Sequence, residues 1–343
     1  MTTSDARVEH VAWDDADAAS LRTAQQAELR DRYGDDDIGH AMTGGSIVVM
    51  VLVRADGQAV ACGALRDAQD ELGPGTGELK RMYVRPSHRG RGLSRRVLAE
   101  LEAAAPAHGL DRLVLETGVL QPEAIGLYLA SGYAPIDNFG EYVGVVDSRC
   151  FAKRLGVGEA TPGARRRAAV SSSDVRPSTP SGSPDVVVEQ VAWEHPDAYA
   201  LRRAMVDELA PLYPEMAFDR PDGFERLDAA QGRTAATTFL ARRDGVPVAC
   251  ATHRRAVEWG DDAAELKRLY VAPDVRGSGL ARRLVACVED AARADGARRI
   301  VLDTGIRQPA AIRLYLDLGY RAVAPPPGTW QGLPVSLWFA RDL

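Results

Sequence analysis

The sequence predicts two tandem α/β domains, each a mixed sheet flanked by helices, and three observations carry that prediction. The first is a long-period repeat. V-E-H-V-A-W from Val8 returns as V-E-Q-V-A-W from Val188, 180 residues on. E-L-K-R-M-Y-V-R-P-S-H-R-G-R-G-L-S from Glu78 returns as E-L-K-R-L-Y-V-A-P-D-V-R-G-S-G-L-A from Glu265, and L-E-T-G from Leu115 as L-D-T-G from Leu302, both at 187. Blocks this far apart at so steady an offset mean a duplicated domain with insertions confined to loops. The second is composition: 343 residues, 45% hydrophobic and 26% charged, suit two ordinary globular domains. The third is an apolar pattern that alternates between strand and helix periods.

The elements follow in order. A short strand around Val8–Trp13 leads into an amphipathic helix through Leu21 and Leu29. S-I-V-V-M-V-L-V-R from Ser46 is a β-branched run, and A-D-G before Q-A-V-A-C-G-A-L marks a hairpin. The strand Glu78–Val84 comes next, then a helix from about Gly92 whose Leu93, Val97, Leu101 and Ala105 form one buried stripe. D-R-L-V-L-E-T is a strand, and Q-P-E-A-I-G-L-Y-L-A-S a helix with Pro in its first turn, ending at Gly132. Strands near Tyr133 and over Arg149–Leu155 close the copy. The expected order is β-α-α-β-β-β-α-β-α-β-β. Domains are expected over 1–155 and 186–343. The Ser-, Pro- and Gly-rich 156–185, with the Arg165–Arg167 run, reads as an exposed linker.

Composition excludes several functions. A net charge of −6 argues against bulk nucleic-acid binding. With no apolar run of membrane-spanning length and no secretory leader in the opening residues, a cytoplasmic protein without membrane partners is expected. Cys62, Cys150, Cys250 and Cys287 lack any C-x-x-C spacing and read as free, mostly buried thiols. The six histidines form no i, i+4 pair, and no metal is expected. Lysine is confined to Lys80, Lys153 and Lys267 amid abundant Arg, Ala and Gly, the bias of a GC-rich bacterial genome.

The repeated R-G-R-G-L-S stands where a strand gives way to a helix. Glycine permits a tight turn there and clears the approach to backbone amides, which at a helix N-terminus bind anions. Arg89 and Arg91 add charge, with Arg85 and His88 nearby, so a phosphate or pyrophosphate ligand is expected. Alone, the turn is as readily a plain βα connection with solubilising arginines. A P-loop needs a Lys that neither copy has. The dinucleotide pattern needs a third Gly, where Arg95 and Arg282 stand.

Each copy resembles the GNAT superfamily of acyl-CoA-dependent N-acetyltransferases, whose motif [Q/R]-x-x-G-x-[G/A] grips the pyrophosphate of coenzyme A. Arg276, Gly277, Ser278, Gly279, Leu280 and Ala281 match it fully. Arg89, Gly90, Arg91, Gly92, Leu93 and Ser94 depart at the last position, where Ser is still small. The resemblance covers nearly everything but the linker. It implies mostly antiparallel sheets whose fourth and fifth strands splay apart, with acetyl-CoA as co-substrate. Met82, Tyr83 and Val84, and likewise Leu269, Tyr270 and Val271, would hold pantetheine and polarise the thioester. Gln121 and Gln308 would bond the pantetheine arm or local backbone. Glu78 and Glu265 stand where family members carry a general base, and Tyr128 and Tyr315 where a phenol protonates the departing thiolate. A structural ion pair of Glu78 with Lys80, and a core contact for the tyrosines, are the plainer alternatives. Strand alternation is expected to put Glu78, Lys80, Met82 and Val84 on one face. Glu116 and Asp303 are reserve bases. The resemblance also implies direct transfer without an acyl-enzyme, consistent with a sequence that has no G-x-S-x-G elbow or Cys/His/acid set.

The resemblance implies a small-molecule amine as acceptor and a monomer or homodimer as the working form. Asp35–Asp37 read first as a solvated acidic loop, with attraction of a cationic amine as the alternative. One copy being catalytic and the other merely CoA-binding, or a non-enzymatic acyl-CoA sensor, are the remaining alternatives.

Overall fold

The computed structural model describes residues 6–34, 44–156, 186–216, 218, 222–326 and 335–343. The expected linker at 156–185 and the acidic Asp35–Asp37 lie, but for residue 156, outside them. The chain divides into two compact units. Among the described residues no helix is long and apolar enough to cross a membrane.

The first unit runs β1 (Arg7–His10), α1 (Ala16–Tyr33), β2 (Ile47–Ala55), β3 (Gln58–Asp67), α2 (Gln69–Leu72), β4 (Thr76–Val84), α3 (Leu93–Ala104), β5 (Arg112–Gly118), α4 (Pro122–Ala130), β6 (Ala134–Ile136) and β7 (Ser148–Arg154). Its seven strands form one sheet in the order β1-β2-β3-β4-β5-β7-β6. Only β4 and β5 pair in parallel, and their ladder ends at Glu78↔Val114, so the downstream halves of both strands diverge. The second early helix expected in each copy does not stand before β2 among the described residues. The extra helix is the single turn α2, after β3.

Local chemistry explains these boundaries. The Asp15 carboxylate accepts from the Asp17 and Ala18 amides at 3.0 and 2.9 Å, capping α1, and Gly34 closes it in a left-handed conformation. Asp56 and Gly57 both take positive φ, the geometry of a two-residue hairpin loop. Leu93, Val97, Leu98 and Leu101 of α3 are buried, as is Ala105 just beyond it. Burying each such leucine contributes about 1.5–3 kcal/mol. Gly63 lets α3 close on the sheet. A Cβ there would meet Met82 Sδ and Val97 Cγ1 at 2.6 Å.

The second sheet is built from β8 (Val186–Val191), α5 (Pro196–Leu209), α6 (Gly223–Gly232), β9 (Ala235–Arg243), β10 (Val246–Arg255), β11 (Ala263–Val271), α7 (Leu280–Ala294), β12 (Arg299–Gly305), α8 (Pro309–Asp317), β13 (Arg321–Ala322) and β14 (Ser336–Asp342). This is the expected element order. Its strand order β13-β14-β12-β11-β10-β9-β8 reproduces the first sheet, again with one parallel pair that ends early, at Glu265↔Val301.

One expectation is overturned. Between Ala64↔Lys80 and Cys62↔Tyr83, β4 carries one residue more than β3, and Arg81 adopts φ +56°. This β-bulge flips every later side chain. Glu78 and Lys80 therefore share a face with Tyr83, which packs on the α1 cluster, while Met82 turns toward α3. β11 repeats the bulge at Arg268, also φ +56°. The matched Cys62 and Cys250 thiols donate to the bulge carbonyls of Arg81 and Arg268 at 3.5 Å. Burial pushes both thiols up to about 12, so they remain protonated donors.

Candidate active site

Where β4 and β5 part, the first unit has a cleft of about 640 Å³. One wall is the second half of α1. Gln25 Nε2 donates to the Met82 carbonyl at 3.0 Å, Arg32 Nη1 donates to the Leu120 carbonyl at 3.0 Å, and the Tyr33 hydroxyl accepts from the Leu120 amide at 3.0 Å. The helix thus straps the two diverging strands. Tyr33 packs on Gly118, where a Cβ would lie 1.9 Å from its hydroxyl, and burial pushes its phenol up to about 12.

At the β4 exit, Gly90 and Gly92 take φ +74° and +75°, conformations costly for other residues. Gly92 stands at the N-cap of α3 and brings no side chain to bond that helix's first amides. His88, Arg89, Gly90, Gly92, Leu93 and Ser94 all line the cleft. Arg91 is exposed and does not line it. Arg89 is already engaged: its Nε donates to the Val84 carbonyl at 3.1 Å and its Nη2 pairs with Glu28 at 2.5 Å. In the second unit Arg276 repeats both contacts, with Val271 at 2.9 Å and Glu208 at 2.6 Å, beside Gly277 and Gly279 at φ +78° and +83°. Ser278 donates to the Val275 carbonyl, and α7 begins at Leu280–Ala281.

The titratable groups sort unevenly. Glu78 is 1% exposed, lies outside the cleft lining, and pairs with Arg66 at 2.6 Å and Lys80 at 2.7 Å. Arg66 also grips Glu71, and those bonds, with Glu78, hold its guanidinium firmly charged. Glu116 lines the cleft and accepts from Ser148 Oγ at 2.6 Å. Burial raises its pKa above the usual carboxylate range. Tyr128 also lines the cleft, packed edge-on against Tyr133 and tilted against Phe151, and burial keeps its phenol protonated. Gln121, at the start of α4, completes this wall.

The cleft is also lined by residues that strand and helix reading did not reach: Tyr142, Glu141 and Asp147, all from the connection between β6 and β7. Tyr142 accepts from Lys80 Nζ at 2.5 Å, and burial beside Glu78 and Glu116 raises its pKa.

In the second unit Glu265 is likewise 1% exposed, paired with Arg254 and, at 2.7 Å, with Lys267. Lys267 reaches Asp303 at 2.7 Å as well. Tyr315 is buried between Tyr320 and Phe339, its phenol also pushed up by burial. Gln308 stands just before α8, its backbone N–H donating to the Gly305 carbonyl at 3.1 Å.

A stretch of 92 residues is 46% identical to an IAA acetyltransferase of Azospirillum brasilense, covering 27% of this chain and 58% of that protein. A match of 62 residues is 37% identical to an uncharacterised N-acetyltransferase of Escherichia coli, covering 18% of this chain and 37% of that protein. The matched stretches thus span less than two thirds of either relative. The solved IAA acetyltransferase of Bacillus cereus is 14% identical, with a TM-score of 0.34, over 44% of this chain and all of that one. The sequence model of the acetyltransferase (GNAT) family matches residues 9–133 and again 202–320, more than half of the chain. This chain belongs to the acetyltransferase (GNAT) family and carries its domain twice.

Proposed function

We propose that the protein transfers the acetyl group of acetyl-CoA directly to a primary amine of a small molecule. We further assign its domains to 1–155 and 186–343. The observation that carries the reading is the first unit's cleft. It runs from the α3 N-terminus behind two left-handed glycines to a half-buried carboxylate and a buried phenol. The glycine end suits the pyrophosphate, which the α3 dipole and the amides of its first turn attract. Pantetheine would follow the unpaired edge of Met82–Val84, where the Met82 carbonyl is already committed to Gln25.

An amine acceptor arrives as an ammonium ion, and three carboxylates, Glu116, Glu141 and Asp147, line the end that would receive it. The positive charge of Lys80 is offset by Glu78. The ammonium gives a proton to Glu116, which lines the cleft and whose raised pKa makes it more basic than an ordinary carboxylate. The freed nitrogen attacks the thioester carbon, and the C–S bond breaks with its electron pair on sulfur. Tyr128 protonates that sulfur and recovers a proton from the acetylated nitrogen. The net yield is amide, free thiol and one proton carried off through Glu116. Glu78, the base expected by position, takes a supporting role: it fixes Lys80 and the β4 strand.

The test is thiol release from acetyl-CoA across a panel of primary amines, with mass spectrometry of the products. Glu116→Gln and Tyr128→Phe should each lower kcat by about 10²-fold or more while acetyl-CoA affinity holds. Gly92→Glu should abolish acetyl-CoA binding in the first unit. Wild-type turnover in both Glu116→Gln and Tyr128→Phe would retire these assignments.

A further inference from the structure

The copies align at an offset of 188 from Phe139–Ser148 to Pro327–Ser336, and there Glu141 corresponds to Thr329, Tyr142 to Trp330 and Asp147 to Val335. Residues 327–334 lie outside the described residues, so this is a comparison of sequence. The second copy has Trp330 at the position of Tyr142, whose hydroxyl accepts from the lysine in the first.

That oxygen matters because of where the lysine turns. Lys80 Nζ donates to the Tyr142 hydroxyl at 2.5 Å, lies 5.0 Å from the centre of its ring and pairs with Glu78 at 2.7 Å. Glu116 meanwhile accepts from neutral Ser148 at 2.6 Å. In the second unit Lys267 bridges both carboxylates, Glu265 and Asp303, at 2.7 Å each. The two lysines match in position and differ in partner.

We propose that Tyr142 is a positioning residue that holds Lys80 off Glu116, and that this confines acyl transfer to the first unit. A carboxylate with an ammonium on its oxygen takes up a proton only by giving up that ion pair inside a low-dielectric site. Asp303 is in that condition and Glu116 is not. The second copy also lacks the Glu141 and Asp147 carboxylates that would draw a cationic acceptor. It keeps the glycine turn and Tyr315, and so the elements for CoA binding, but not a base carboxylate free of an ammonium. The inference rests on the reading of Glu116 as the base.

The experiment uses the full chain, acetyl-CoA and a primary amine that the wild-type chain acetylates. Glu116→Gln should lower kcat about 10²-fold or more even though the second unit is untouched. Tyr142→Phe should retain acetyl-CoA affinity, lower kcat, and move the acid limb of the kcat/KM profile down by about one pH unit, because a released Lys80 then stabilises ionised Glu116. Tyr142→Trp, carrying the second copy's residue, should do the same. A wild-type pH profile in both Tyr142 variants overturns the positioning role. Half or more of the turnover surviving in Glu116→Gln overturns the confinement to one unit. A wild-type chain that acetylates no amine overturns the proposed function itself, and this assignment with it.

Discussion

Replacing Glu78 by Gln separates a structural carboxylate from a catalytic one. The side chains of Arg66 and Lys80 are 16% and 18% exposed, and both pair with the 1%-exposed Glu78 carboxylate. Breaking a buried ion pair from one side costs about 3–5 kcal/mol. Here Arg66 keeps Glu71 and Lys80 keeps Tyr142, and both cations see some water, which reduces the cost to about 2–3 kcal/mol. For a domain of this size that lowers Tm by roughly 4–12 °C. Turnover at a temperature where the variant is folded should fall by less than the roughly 10²–10⁴-fold expected for a lost base. Circular dichroism melts and thiol release on the same preparation measure both quantities. An unchanged Tm with turnover lost at least a hundredfold would refute the reasoning and return the base to Glu78.

Two further outcomes follow from particular contacts. His253 is 1% exposed against Asp295, and burial lowers its pKa. The unfolded chain therefore binds this proton first, so stability is intact above about pH 6.5 and falls below it by up to about 1.4 kcal/mol per pH unit until the folded pKa is reached. Urea midpoints at pH 7.5 and 5.5 should show this loss in wild type and less of it in His253→Leu, which installs the first copy's Leu65; equal losses would remove His253 as the cause. Gly63→Ala should destabilise by about 1–3 kcal/mol, because Val97 must shift and the bulge holds Met82 in place. An unchanged denaturation midpoint would place the Met82 side chain elsewhere.

The duplication, the strand and helix succession and the glycine turn were legible in the sequence because each is written in neighbouring residues. A stripe at Leu93, Val97 and Leu101 needs only helical spacing, and a left-handed Gly before a helix needs only its own φ. The bulge left no such mark. Arg81 and Arg268 take positive φ without being glycine, so alternation along β4 predicts a shared face for Glu78 and Met82 that one inserted residue destroys. The division of labour between carboxylates was illegible for another reason. Glu78 and Glu116 are equally acidic in sequence, and what separates them is a cation from β3, a serine from β7 and a tyrosine from the β6–β7 connection. Comparing the two copies at offset 188 would have singled out Tyr142 against Trp330, but not what its hydroxyl binds. Charge balance inside a fold depends on which side chains converge from distant elements, and only the tertiary structure decides that convergence.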